Sequence, residues 1–97
     1  IERRSAFVTR LVADVAQNYY ALMALDKRLE NLGQINQFLE QSLGVARARK
    51  EAARDTELAV LRFEAELQRN RGEILVVNQE IIEAENRINV LVYRYPQ

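Results

Sequence analysis

The chain has 97 residues with equal numbers of basic and acidic side chains, 14 of each, so its formal net charge is zero. This length allows at most one small domain, and a neutral chain lacks the positive excess that nucleic-acid binding requires. Neither cysteine nor histidine is present, which excludes disulfides, zinc fingers and catalysis by either side chain. Hydrophobic residues make up 48 % of the chain, too many for a disordered tail.

The sequence contains no targeting or membrane-spanning signal. No run of about eighteen apolar residues occurs, so no candidate transmembrane helix is predicted. No signal peptide is recognisable, but the chain opens inside its hydrophobic pattern, at Ile1, and we therefore expect a piece of a longer protein. Missing targeting signals are uninformative in such a piece.

Two series of apolar residues, at alternating spacings of three and four, predict two long helices. The first has ten apolar members out of twelve: Val8, Leu11, Val15, Asn18, Leu22, Leu25, Leu29, Leu32, Asn36, Leu39, Leu43 and Ala46. The second has ten out of eleven: Val60, Phe63, Leu67, Asn70, Ile74, Val77, Ile81, Ala84, Ile88, Leu91 and Tyr95. We call these residues the seam. Helices are predicted near residues 3–51 and 56–93, the first roughly 70 Å long at about 1.5 Å per residue.

The two seam series match each other as the facing edges of an antiparallel hairpin. In such a hairpin the residue numbers of two facing residues add up to a constant. This sum is 106 for Leu39 with Leu67 and for Asn36 with Asn70. Half of it is 53, a position between the two series, where the regular spacing of apolar residues is interrupted. The predicted fold is therefore all-α, an antiparallel two-helix coiled-coil hairpin with its tip at about residues 52–56.

The two facing asparagines have two interpretations. A buried amide pair costs stability but penalises slipped pairings, so Asn36 and Asn70 would fix the register of the helices. Alternatively, they form a polar site between the helices that holds water or a ligand. The register interpretation is favoured because an isolated amide pair offers little chemistry to a substrate.

The predicted tip is rich in charge. Its ionisable residues are Arg47, Arg49, Lys50, Glu51, Arg54, Asp55 and Glu57. Asp55 or Thr56 can cap the second helix by accepting a hydrogen bond from a free backbone N–H. No glycine is available for a left-handed turn position, so Ala53 or Arg54 adopts it with some strain unless the turn avoids it. The tip is either a solvated end or a docking surface for a partner.

Further apolar stripes lie beside the seam, mainly away from the tip. They consist of Val12, Ala16, Tyr19 and Met23 on the first helix and Leu61, Leu75 and Ile82 on the second, widened by Phe7, Tyr20, Val76, Val90, Val92 and Tyr93. A hairpin of two helices is marginally stable by itself. These stripes therefore predict neighbours on more than one side, as in a bundle or a closed ring of helices.

The carboxylates give little support to an enzyme. Glu64 with Glu66 and Glu83 with Glu85 are two residues apart, a spacing that points the side chains to different faces of a helix. Glu80 and Glu83 could share a face, but without a histidine or an enclosing pocket they are typical of a solvated surface. We predict no catalytic residue, no metal site and no cofactor.

Four segments, in order and with matching spacing, resemble the outer membrane efflux proteins, the TolC-like channel-tunnels. Segment 19–30 reads YYALMALDKRLE and resembles the long helix of that family, while 46–53, ARARKEAA, resembles its end. Segment 56–67, TELAVLRFEAEL, resembles the start of the returning helix. Segment 84–96 reads AENRINVLVYRYP and resembles the end of that helix, where the family often reads N-x-L-x-x-L-L-G-R-x-P.

This resemblance implies a structural segment of a trimeric channel for efflux or type I secretion. The helices of that family form a periplasmic α-barrel below a β-barrel in the outer membrane, and this chain would be most of one hairpin. Its partners would be neighbouring helices of the same protein and homotrimer, a periplasmic adaptor at the tip, and an inner-membrane pump indirectly. The implied partner-binding tip residues are Arg49, Glu51, Ala52, Ala53, Arg54, Asp55 and Thr56.

The tip departs from the family pattern at four positions. The family usually has an aromatic residue at Lys50, glycine at Ala53, an aliphatic residue at Arg54 and aspartate at Ala59. Two other interpretations of the chain stay open. One is the hairpin of the periplasmic adaptor itself, although the Arg/Leu/Ser pattern of adaptor tips is missing from this sequence. The other is a generic coiled-coil scaffold.

Overall fold

The computed structural model describes residues 2–54 and 56–94. It contains two α-helices, α1 (Glu2–Glu51) and α2 (Glu57–Tyr93). They pack against each other along a rod that measures 77 × 16 × 14 Å. The predicted all-α helical hairpin is confirmed, since the described residues include no strand and the helices pack together along the rod.

Contacts between the helices show that they run antiparallel. Arg47 of α1 contacts Glu64 of α2, and Glu40, one heptad earlier on α1, contacts Arg71, one heptad later on α2. Residue numbers in these contacts fall along α1 as they rise along α2. The helices are therefore aligned from the tip outwards, with their termini at the opposite end, which we call the open end.

The seam residues form the interface between the helices. Every described member except Val8 is buried or half-buried. The most buried hydrophobic members are Leu32, Leu39, Leu43, Ala46, Val60, Leu67, Val77, Ala84 and Ile88. Five of these form a cluster in the tip half, and Phe63 packs against it. Removal of these side chains from water is the main stabilising contribution to the hairpin, at about 1.5–3 kcal/mol for each fully buried large side chain.

Val8 is the seam residue for which the prediction of burial is wrong. Its side chain is 50 % exposed. With a constant total of 106, Val8 faces position 98, which lies outside the 97-residue sequence. Tyr95, the last predicted seam residue of the second helix, lies outside the described residues.

The turn begins with a Schellman motif at the end of α1. The N–H of Arg54 donates to the carbonyl of Arg49 at 2.8 Å, and the N–H of Ala53 donates to that of Lys50 at 3.0 Å. These bonds satisfy carbonyls that the helix end leaves free. They require a left-handed backbone at the residue after the cap, and Ala53 adopts it with φ 57°. Of the two candidates for this conformation, the structure selects Ala53.

We expect Ala53→Gly to stabilise the hairpin by about 0.5–1 kcal/mol. A left-handed conformation costs an L-residue roughly 1–2 kcal/mol because its Cβ approaches the following carbonyl, and glycine avoids this contact at some cost in unfolded-chain entropy. Thermal unfolding followed by circular dichroism measures the difference. The control is Ala48→Gly in the last turns of α1, which should destabilise by up to about 1 kcal/mol. Destabilisation by both substitutions would contradict the proposed strain at Ala53.

Within the described part of the chain, neither helix has a segment that is both long and apolar enough to cross a membrane.

Candidate partner-binding surfaces

The predicted tip residues are placed together at the closed end of the hairpin. Arg49 and Glu51 lie in the last turn of α1, and Ala52, Ala53 and Arg54 form the turn; all are exposed. Their side chains are accessible to a partner. Their exposure is equally compatible with a solvated end, so the docking role remains a prediction.

Thr56 precedes α2 and takes the N-cap position. Its backbone is extended, with φ −99° and ψ 158°, as expected for a cap residue, but its side chain makes no capping hydrogen bond. The N–H of Ala59 donates instead to the carbonyl oxygen of Thr56 at 3.2 Å. Asp55, the other predicted cap, lies outside the described residues. Glu57 occupies the first turn, where a carboxylate stabilises the helix dipole.

One long side of the tip half carries paired charges. Arg47 lies 3.1 Å from Glu64, and Arg71 lies 3.3 Å from Glu40, each pair bridging the two helices. We call these four residues the ion-pair face. The side chains are about half exposed, so each pair contributes at most about 1 kcal/mol. The charges on this face nevertheless neutralise each other, which leaves little to attract a charged partner.

The other long side of the tip half is an apolar groove. It consists of two adjoining depressions that share Phe63, one lined by Phe38 and Val45 on α1 and the other by Ala59 on α2. We call it the tip groove. Phe38 is 65 % exposed and Val45 is 57 % exposed, so large apolar side chains lie open to solvent. The depression on α1 shares no lining residue with the one at the ion-pair face, and the depression on α2 shares only Ala65 with it.

Two unpaired arginines border the tip groove. Arg49 lines its α1 side and Arg62 its α2 side. Among the residues that the structure describes, neither has an acidic partner within 4.0 Å, whereas the other groove arginine, Arg69, lies 3.6 Å from Glu66. The groove therefore combines exposed apolar surface with uncompensated positive charge.

The two asparagines that the sequence predicts to face each other bond to different partners. Asn70 is buried, and its Nδ2 donates to the carbonyl of Leu32 at 3.0 Å, one helical turn from Asn36. The Nδ2 of Asn36 donates to Glu40 at 3.2 Å, and its buried Oδ1 has no hydrogen-bond partner among the described residues. The two amides thus make no hydrogen bond to each other. An unsatisfied buried oxygen costs about 1–3 kcal/mol, so the pair carries the stability cost that a register-fixing role requires.

The stripes beside the seam are left uncovered by the hairpin. Val12, Tyr19 and Met23 are 50–64 % exposed, and Leu75 on α2 is 71 % exposed. Ala16 alone among the named stripe residues is half-buried. Exposed apolar side chains that recur along a helix are typical of a surface that packs against another protein or domain.

A further depression lies at the open end, between α1 and α2. It has a volume of about 430 Å³ and is lined by Asp14, Asn18, Asn86, Arg87, Val90 and Leu91. Nδ2 of Asn18, a seam residue, donates to the carbonyl of Asp14 at 2.7 Å, so that amide is already engaged within its own helix. In the described part of the chain, acidic side chains nowhere cluster closely enough in threes to hold a metal ion.

The tip groove is a surface that the sequence pattern did not lead us to predict, although a signal for it is present. Ile35, Phe38 and Val45 recur at spacings of three and seven, which places them on one helical stripe beside the seam. The predicted second stripes lie mainly towards the open end and do not include these residues. Comparison of the chain with protein-family models, with curated proteins and with solved structures found no match.

Proposed function

We propose that the chain is a periplasmic helical hairpin of a trimeric outer-membrane channel for efflux or type I secretion, and that its tip docks to a periplasmic adaptor. The observation that carries this proposal is the apolar surface outside the seam. A free-standing coiled coil buries one stripe on each helix, whereas this hairpin leaves a second stripe open on both α1 and α2. Helices in the wall of a barrel need such surfaces, because each packs against neighbours on both sides.

The resemblance of four ordered segments to the TolC-like channels supports the same assignment. It also implies how the hairpin is oriented in the channel. In that family the turn is the periplasmic end of the tunnel. Neighbouring helices from the same protein and the homotrimer would cover the stripes that contain Val12, Tyr19 and Leu75. Substrates would pass through the lumen, and the chain would perform no catalysis.

Docking at the tip can be tested by charge reversal in the full-length protein. We expect Arg49→Glu combined with Arg54→Glu to weaken adaptor binding about tenfold, which corresponds to about 1.4 kcal/mol. The matched control is Arg10→Glu combined with Arg28→Glu, two exposed arginines on α1 away from the tip. Pull-down and surface plasmon resonance with the purified adaptor measure the difference.

Two outcomes would contradict the proposal. Unchanged adaptor binding in the tip variant would leave the tip as a solvated end. Fractionation that finds the full-length protein outside the outer membrane, or a flanking lipoyl-like domain in its reading frame, would remove the channel assignment and favour the adaptor hairpin.

A further inference from the structure

The two long sides of the tip half differ in a way that the seam does not require. On the ion-pair face, Arg47 and Arg71 each have a carboxylate from the opposite helix within 3.3 Å. On the tip groove, Arg49 and Arg62 have none among the described residues. The groove also holds the Arg69–Glu66 pair, so its lining has two more arginines than carboxylates. The unpaired arginines therefore point to a partner on the groove side.

The apolar part of the groove indicates the shape of that partner. Along α1 the groove runs from Phe38 to Arg49, which is about 16 Å at roughly 1.5 Å per residue and matches three turns of a helix. Phe63 lies between the two helices and is itself packed against the core cluster, so it forms a rigid floor. A third helix laid between two packed helices buries its apolar stripe in such a groove.

The charge of the groove indicates the chemistry of the flanks of that helix. An amphipathic helix in the groove would place the residues beside its apolar stripe next to Arg49 and Arg62. Carboxylates there would form charge-assisted bonds with guanidinium groups, whereas lysines or arginines would be repelled. Complementary charge of this kind selects among partners and speeds their association.

We infer that the tip groove binds an amphipathic helix of a partner protein with glutamate or aspartate beside its apolar stripe. The inference rests on the proposed function in one respect, namely that the tip half is the docking end of the hairpin. It adds the side on which docking occurs, the residues that bind, and the acidic character of the docked segment.

The test uses two synthetic helical peptides of three turns. Both carry leucine along one stripe, with glutamate beside it in the first peptide and lysine in the second. Fluorescence anisotropy with the full-length protein should show at least tenfold tighter binding of the glutamate peptide at low salt. This preference should shrink as ionic strength rises, because exposed charges are screened.

Matched variants locate the binding site. Phe38→Ser with Val45→Ser should weaken binding of the glutamate peptide at least tenfold, and Leu61→Ser, beside the ion-pair face, should leave it unchanged. Arg49→Gln with Arg62→Gln should abolish the preference for glutamate over lysine, while Arg10→Gln with Arg28→Gln should keep it. All of these positions lie outside the seam, so circular dichroism should report an intact hairpin.

Several results would overturn the inference. Equal affinity for the two peptides, or equal loss in the Leu61→Ser control, would remove the groove as an acidic-helix site. Self-association of the chain that Phe38→Ser with Val45→Ser abolishes would assign the groove to a second copy instead. If the protein forms an outer-membrane channel but does not bind the glutamate peptide, the inference is rejected and the proposed function stands. If the protein binds the peptide but is located outside the outer membrane, only the proposed function is rejected.

Discussion

Replacement of Leu67 by alanine is expected to destabilise the hairpin by about 2–5 kcal/mol, the range for a buried leucine that leaves a cavity. Leu67 is 5 % exposed and belongs to the tip-half cluster with Leu39 and Leu43. For a domain of this size, each kcal/mol lowers the melting temperature by about 4–8 °C. Thermal unfolding by circular dichroism should therefore show a fall of at least about 8 °C, or loss of helix at all temperatures.

The same substitution at Leu75 is the matched control. Leu75 lies on α2 as well, but it is 71 % exposed. Because little surface is buried there, Leu75→Ala should change the free energy of unfolding by no more than about 0.5 kcal/mol. If both variants lost the same stability, the seam would not be the interface that holds α1 and α2 together.

The second large effect is expected from leucine at both facing asparagines. Asn36→Leu removes a buried oxygen that has no hydrogen-bond partner, and Asn70→Leu adds apolar burial at a seam position while it loses one bond to the carbonyl of Leu32. The carbonyl of Leu32 lies inside α1, so the helix ladder can still satisfy it. We expect the double variant to be about 1–3 kcal/mol more stable, with the larger share from Asn36→Leu.

The gain in stability should come with a loss of register. Spin labels at the exposed positions Gln37 and Gln68 measure the distance between the helices, and in the double leucine variant this distance distribution should broaden because no polar pair then penalises slipped pairings. Gln34→Leu, which adds a leucine on the exposed side of α1, should change neither stability nor register. A large loss of stability in the double variant would contradict the register-fixing interpretation and show that the amides stabilise the hairpin directly.

The helices and their pairing could be predicted from the sequence because a coiled coil repeats one local rule over many residues. One irregular position changes little when the spacing of apolar residues is otherwise maintained from Leu11 to Ala46 and again from Val60 to Leu91. The antiparallel pairing was predictable because, among the totals that align the two series, only 106 places Asn36 opposite Asn70 and has its midpoint in the interruption between the two series. Val8 is exposed because the position that would face it, 98, is outside the sequence.

Details of the candidate surfaces were less predictable because they depend on side-chain geometry across the hairpin. The sequence predicts that Asn36 and Asn70 face each other, but it does not predict their bonding partners, Glu40 and the Leu32 carbonyl, which depend on side-chain rotamers. The left-handed residue could be narrowed to two neighbours, and only the two bonds of the Schellman motif decide in favour of Ala53. The contrast between the ion-pair face and the tip groove depends likewise on which arginine reaches which carboxylate.

The turn at Ala53 also bears on the order in which the hairpin forms. It brings Ala46 and Val60 together across a short stretch of chain, and closing so short a loop costs little conformational entropy. Seam residues farther from the turn can then pair in sequence, because the contacts nearer the turn already hold the two helices together. Folding should begin at the turn, so the gain from Ala53→Gly is expected to appear in the rate of folding, with the rate of unfolding nearly unchanged. A change confined to the rate of unfolding would place the start of folding elsewhere along the rod.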